Sequence, residues 1–299
     1  MGAALSRVTT IDTAAVLRVH RQGRGDPTTL HEPGSWWRAT LTPHGPATIH
    51  VWWSDAGVDA EAWGPGGDLL LSRVPLLTGQ LDRPVRFDRS AHAAILAAEH
   101  DHPDVRIGGG GGLYHWLLPT IIGQRVTAGE ARRSWRRICL ALGEVAPGPR
   151  PLRLPPRAAD LAGRPYWWFH RFGVERKRAE ALRTVGRHAA LVHELDLAGD
   201  PAEARRRLTL LPGVGEWTIG SVSGPVFGDA DAVAVGDFWL KHLVTWALAG
   251  EQRGDDARML ELLAPYAGQR GRVIRLLSAA GWRAVRLGPG IAVLPIAQL

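Results

Sequence analysis

One cysteine, Cys139, stands in 299 residues. A single thiol forms no intrachain disulfide, ligates no all-cysteine iron–sulfur cluster and builds no all-cysteine zinc site. Lysine is nearly as scarce: only Lys177 and Lys241 occur, so 34 of the 36 basic residues are arginine. No run reaches the ~18 uncharged apolar residues of a membrane span. Residues 1–10 show no apolar core behind a basic start, so a secretory leader is not expected and the cytoplasm is the default. Missing motifs exclude further classes. No Gly-x-Ser-x-Gly elbow and no His-Glu-x-x-His occur. His188 and His193 are five apart, off the i, i+4 spacing of a helical metal pair. The five glycines at 108–112 are not followed by Gly-Lys-Ser/Thr, so they are a connector or close-approach loop rather than a P-loop.

What is present is globular: 45% hydrophobic and 22% charged residues. The length suits two domains, and charge divides them. Residues 1–90 hold 9 basic and 9 acidic residues, whereas 91–299 hold 27 and 20 and carry the whole surplus of +7. Arginine forks match phosphate geometry, which points to nucleic acid; a GC-rich genome that writes Arg for Lys accounts for the composition equally well.

Residues 1–90 read as strands and turns. Runs at 35–41 and 47–54 carry Trp36, Trp37, Trp52 and Trp53 and flank the turn cluster Thr42-Pro43-His44-Gly45-Pro46, which predicts a hairpin. The paired tryptophans are either a ligand platform or, more often for such pairs because strand side chains alternate, one core ring and one on the opposite face. A third extended run is expected at 69–74. Beyond Ser90 the pattern is helical, with Ala93, Leu96 and Ala97 as a first stripe. Thr127 and Glu130 form a capping box for a helix over 127–142, whose stripe is Ala131, Trp135, Ile138 and Leu142 and whose polar side is Arg132, Arg133, Arg136 and Arg137. A second amphipathic helix is predicted over 175–193. A third opens at Asp200-Pro201-Ala202-Glu203 and runs to about Leu211. Others follow at 237–249, 255–264 and 270–280.

The stretch Leu211-Pro212-Gly213-Val214-Gly215-Glu216-Trp217-Thr218 joins two helices. Its Pro-Gly-x-Gly turn exposes consecutive N–H groups at a helix N-terminus, a nest that binds phosphate without side chains; alone, it is also an ordinary helix–helix connection. Twenty residues past Trp217 lies Asp237, in Val235-Gly236-Asp237-Phe238-Trp239. Asp before an apolar helix is first of all a cap. A carboxylate at a helix N-terminus is also held ionised, and a fixed anion stabilises a developing sugar cation.

This hairpin and aspartate resemble the helix-hairpin-helix DNA glycosylases (the HhH-GPD superfamily), and within them the bacterial 3-methyladenine DNA glycosylase II group. The segment Ile121-Ile122-Gly123-Gln124-Arg125-Val126 is similar to that group's Gly-Gln segment. Phe172-Gly173-Val174 with Lys177-Arg178-Ala179-Glu180 is similar to its glycine turn and the helix after it. The likeness spans roughly residues 90–280. It implies an α+β fold, mainly α-helical, with an N-terminal antiparallel sheet domain like that of TATA-binding protein (1–90) and a helical region (91–299) of two subdomains flanking the active-site cleft. It implies Asp237 as the catalytic aspartate, and Trp217, Phe238, Tyr114 and Trp116 as base-pocket candidates. Gln124, Arg125, Gly213, Gly215 and Thr218 would lie on DNA. The carbonyls of Thr209, Leu211 and Val214 would hold a structural Na+ or K+. No other cofactor is implied, and no iron–sulfur cluster.

Trp217 stands where bifunctional members carry a Schiff-base lysine, and an indole cannot form that bond. The implied activity is therefore monofunctional excision of alkylated bases such as 3-methyladenine and 7-methylguanine from double-stranded DNA in base excision repair, by a monomer in the nucleoid. The chain departs from the group at two places. Arg125 replaces an apolar wedge, and Gln269-Arg270-Gly271-Arg272 replaces a segment bearing a substrate-contacting Trp, so a different, bulkier lesion range is one alternative. Others are a catalytically inactive DNA-binding module and a scaffold protein.

Overall fold

The computed structural model describes residues 11–285; the leader reading at 1–10 lies outside them. Helix α1 (Thr13–Arg18) precedes an antiparallel meander of β1 (Thr29–Glu32), β2 (Ser35–Thr42), β3 (Gly45–Ser54) and β4 (Gly57–Trp63), paired in chain order. The predicted hairpin is β2–β3, with Trp36 opposite Val51 and Trp37 opposite His50. Alternation sends the Trp36 ring into an apolar layer with Leu17, Ile49, Val51 and Leu70. The Trp37 ring goes to the other face, against Ala146, Leu152 and Leu154 of the proline-rich loop, and stacks on His50 at 3.8 Å. Both rings are structural.

The run at 69–74 is not a strand. It forms α2 (Gly67–Ser72) and the start of α3 (Val74–Leu77), which bury Leu70 and Leu77 against the sheet. An apolar run that short suits a helix or a strand equally, and packing decides.

The helices beyond form two apolar clusters. The larger surrounds α5 (Leu113–Ile122), in which every residue but Trp116 is buried. A helix apolar all round needs neighbours on every side. Here they are α6 (Ala128–Leu142), α7 (Ala158–Gly163), a 3-10 segment (Tyr166–Phe172), α8 (Arg176–Arg187), α9 (Ala189–Ala198), α10 (Pro201–Leu208) and α11 (Glu216–Phe227). The capping box of α6 is formed as expected, and Arg132, Arg133, Arg136 and Arg137 are exposed. The helix expected over 175–193 breaks at His188 into α8 and α9; its apolar stripe, Leu182, Val185, Ala189 and Val192 at spacings of 3, 4 and 3, runs through the break, so periodicity alone does not reveal it. The second cluster joins α4 (Ala93–Asp101) to α12 (Leu240–Ala249), α13 (Asp256–Leu263) and α14 (Arg270–Ala279) through Ile95, Val244, Met259, Leu263 and Val273. On α4 the buried residues are Ile95 and Ala98, not the stripe expected at 93, 96 and 97.

The glycine run is a close-approach segment. A Cβ at Gly109 would lie 2.5 Å from the Gly228 nitrogen, and one at Gly108 2.6 Å from the Leu77 carbonyl. The bare backbone donates from Gly110 to Val226 and from Gly111 to Pro225, pinning the end of α11 to the N-terminal layer.

Two histidines are sealed at that junction. His20 Nδ1 accepts from the Trp116 indole (3.1 Å), and His115 bridges Thr40 (2.9 Å) and Thr28 (3.3 Å). Burial, and then the Arg38 guanidinium nearby, holds both pKa values well below the ordinary value of 6.5. The unfolded chain therefore binds protons that the native state refuses. Stability is full above pH 6.5 and falls as pH drops through it, by up to about 1.4 kcal/mol per pH unit for each ring. Urea unfolding at pH 5.5 should show a clearly lower midpoint than at pH 7.5; equal midpoints would refute neutral burial.

Candidate active site and nucleic-acid face

The site is built where α10 turns into α11. Asp200 caps α10 by accepting from the amides of Ala202 (2.8 Å) and Glu203 (3.2 Å). The helix stops at Leu208, three residues before the sequence expectation, because the chain tightens into turns closed by Leu211 N to Leu208 O and Val214 N to Leu211 O, each 3.0 Å. Gly213 has φ +89°, and a Cβ there would sit 2.5 Å from that of Ala181 on α8. Only glycine fits. Gly215 has open space around it instead. It begins α11 with no side-chain cap, so the amides of the first turn are left for an outside acceptor. Glu216 in that turn is paired to Arg205, which offsets its charge.

Gln124 braces this turn. Its Nε2 donates to the Gly213 carbonyl (2.9 Å) and to Thr218 Oγ1 (3.0 Å). Thr218 is 1% exposed with its hydroxyl bonded to Gln124, so its side chain does not reach the surface where the sequence assignment placed it. Beside Gln124, Arg125 is exposed with φ +57°, the one non-glycine residue with positive φ among those described. Such strain concentrates at functional turns. Arg178, which the sequence reading passed over, locks the same loop from below: it is 2% exposed and donates to the carbonyls of Ile122 (2.7 Å) and Gly173 (3.1 Å).

Asp237 faces the hairpin helix. A Cβ at Gly220 would lie 2.0 Å from the Val233 carbonyl, so glycine on α11 lets the 233–237 loop lie against it. Gly236, at φ +91°, then turns Asp237 back toward α11. Asp237 Oδ2 accepts from the Trp217 indole N–H (3.1 Å), and Oδ1 accepts from the amides of Trp239 and Leu240, both 2.9 Å. One oxygen of this carboxylate closes the turn ahead of α12, whose N-cap position is Trp239 without a side-chain bond, while the other stands at Trp217. Helix α12 begins at Leu240 rather than 237 because this turn lies ahead of it. Asp256, also unforeseen, holds the turn by accepting from Gly236 N (3.0 Å) and pairing with Lys241 (3.4 Å).

Among the aromatic candidates, Trp217 is half-buried at the carboxylate and Phe238 is 54% exposed. Trp239, 48% exposed and edge-on to Phe238 at 4.8 Å, joins them. Its signal was the Asp-Phe-Trp run itself. Tyr114 and Trp116 belong elsewhere. Tyr114 is 2% exposed with its hydroxyl donating to Pro156 O, and Trp116 packs at the α5–sheet junction against His20. The Tyr114 ring offers a base no surface, and the half-buried Trp116 ring has its N–H committed to His20. The departure at 269–272 is likewise structural: Arg270 clamps Asp231 and Arg272 clamps Asp82. No group of three His, Cys, Asp or Glu among the described residues could hold a metal ion. The carbonyls of Thr209 and Val214 accept no hydrogen bond among the described residues, while that of Leu211 accepts from Val214 N.

No family model matches the sequence, and no curated protein does. Solved structures do. The 3-methyladenine DNA glycosylase from Archaeoglobus fulgidus aligns over 91% of this chain and 95% of its own, with TM-score 0.71 and 13% identity. MBOgg1, solved in complex with a low-affinity DNA ligand, aligns over 84% and 86% with TM-score 0.63 and 13% identity. The Clostridium acetobutylicum 8-oxoguanine glycosylase/lyase, solved with double-stranded DNA, aligns over 86% and 88% with TM-score 0.61 and 13% identity. With its N-terminal antiparallel sheet and its α10–α11 hairpin, the chain has the fold of the helix-hairpin-helix DNA glycosylases.

Proposed function

We propose that the protein is a monofunctional DNA glycosylase that hydrolyses the N-glycosidic bond of flipped-out, alkylated purines, 3-methyladenine and 7-methylguanine among them. The observation that carries this is the hydrogen bond from Trp217 to Asp237, which sets a carboxylate oxygen beside a helix whose first-turn amides await an anion.

The chemistry follows from charge. Alkylation at N3 or N7 makes the purine cationic, so the C1′–N bond breaks with its electron pair going to the base, which leaves neutral. The sugar becomes oxocarbenium-like. Asp237 stabilises that cation at close range, and water adds at C1′ and gives up a proton. No second carboxylate is needed to protonate the leaving group. Reaching the site costs a few kcal/mol of unstacking, which the cationic base recovers in part against the Trp217, Phe238 and Trp239 rings, at about 0.5–2 kcal/mol per contact. Arg125 fills the vacated stack, its plane on the bases and its charge toward phosphate. The Gly213 and Gly215 amides hold a phosphate beside the lesion. The open carbonyls of Thr209 and Val214, with that of Leu211, suit a Na+ or K+, which would stiffen the turn and add positive potential at that phosphate. With Trp217 in place of an amine, no covalent sugar adduct forms and the strand stays uncut.

The test is incubation with methylated duplex DNA. Free 3-methyladenine or 7-methylguanine should appear in the supernatant, leaving abasic sites with the backbone intact. Duplex binding without any released base would make the protein a binding module. Strand cleavage would contradict the monofunctional assignment.

A further inference from the structure

The 3-10 segment reads Tyr-Trp-Trp-Phe-His-Arg-Phe. Phe169 and Phe172 anchor it in the core, whereas Trp167 is 60% exposed and has no ring partner among the described residues. Guanidinium groups lie on the neighbouring rings. Arg171 is 4.1 Å from the centroid of Trp168, Arg176 is 4.8 Å from Tyr166, and Arg137 is 5.6 Å from Phe172. A guanidinium stacked on a ring keeps its N–H edges turned outward for an anion. The carboxylates of this face are already engaged: Asp160 with Arg164, Glu175 with Arg178 and the first amides of α8, Glu130 in its capping box. Among the described residues none of them pairs with Arg137, Arg171 or Arg176.

An exposed indole on a segment whose neighbouring rings carry guanidinium groups matches one kind of polymer. Single-stranded nucleic acid offers unpaired bases for the ring and phosphates for the guanidinium edges. An acidic peptide would use the arginines and leave the indole idle. The face also continues from the hairpin. Arg178 ties Gly173, which ends the 3-10 segment, to Ile122, and Gln124 ties the next loop to Gly213.

We propose that this face is a second nucleic-acid surface that takes single-stranded DNA, with a base stacked on Trp167 and its neighbouring phosphates on Arg171 and Arg176. It goes beyond the excision reading, which needs only duplex at the hairpin, and it stands or falls separately. The experiment is fluorescence anisotropy of the full chain with a labelled 15-nucleotide oligothymidine and with an unmodified 15-base-pair duplex, at low salt. Base–aromatic stacking implies that Trp167→Ala weakens oligothymidine binding roughly 10-fold. Trp167→Phe should retain most of the affinity, and duplex binding should change by less than about twofold. Excision assays on methylated duplex run alongside. Oligothymidine binding that ignores Trp167→Ala overturns the proposal. So does absence of oligothymidine binding by a protein that still excises bases, which leaves the enzyme reading intact. Displacement by polyglutamate as readily as by unlabelled oligothymidine assigns the face to acidic protein and also overturns it. A Trp167-dependent signal in a protein that excises nothing upholds the second surface and removes the glycosylase assignment.

Discussion

Asp237→Asn is expected to lower base release by at least about 10³-fold while leaving duplex binding nearly unchanged. The magnitude follows from removing the group aimed at the developing charge, where a single preorganised partner is worth about 10²–10³ and a full opposing charge more. Asparagine caps helices as well as aspartate does, so its Oδ1 still accepts from Trp239 and Leu240, and α12 starts in the same place. The cost falls on the other side. The amide nitrogen replaces Oδ2 and meets the Trp217 indole donor to donor, which costs on the order of 1–3 kcal/mol as an unmade bond. Unfolding measurements separate that loss from catalysis. A variant that keeps wild-type release would reduce Asp237 to a structural residue and place the excision chemistry on another group.

The second large effect lies far from the hairpin. The Arg272 side chain is 3% exposed and forks onto Asp82, itself 8% exposed, while Asp82 also accepts from Ile107 N at 2.9 Å. This pair ties α14 to the segment after α3. Arg272→Ala should cost about 3–5 kcal/mol, because it strands a buried carboxylate. Arg272→Met combined with Asp82→Leu should recover part of the loss, since an apolar pair needs no desolvation while the Ile107 amide, left without its acceptor, costs about 1–3 kcal/mol. Urea denaturation of the three proteins checks this; a single variant as stable as the wild type would contradict the buried pair.

What the sequence discloses is whatever local chemistry decides. The Thr127–Glu130 capping box, the Asp200-Pro201 helix start and the β2–β3 turn are fixed by neighbours within four residues, and all three form as read. Gly213 is visible because the turn restricts residue type there, whereas Asp237 stands out from an ordinary helix cap only through the family resemblance that the hairpin carries. Whatever depends on distant packing is hidden. Thr218 looks like a hydroxyl offered to DNA until Gln124, 94 residues away in sequence, is found bonded to it. Tyr114 looks like a pocket ring because aromatics suit cores and pockets alike; only its burial on α5 decides, and for Trp116 the indole bond to His20 decides. Residues 69–74 lack the length for a period to show. Arg178 enters the sequence only as one letter of the 177–180 segment, and its burial under two loop carbonyls becomes apparent only in three dimensions.

The most direct measurement is a crystal structure with duplex DNA carrying a cationic abasic-site mimic. The nucleotide should be rotated out of the helix, with Asp237 Oδ2 about 3–3.5 Å from the sugar's charged centre, Gly213 and Gly215 on the neighbouring phosphate and Arg125 in the gap. A sugar left in the stack, or one seated away from Asp237, would contradict the assignment of that carboxylate to the excision chemistry.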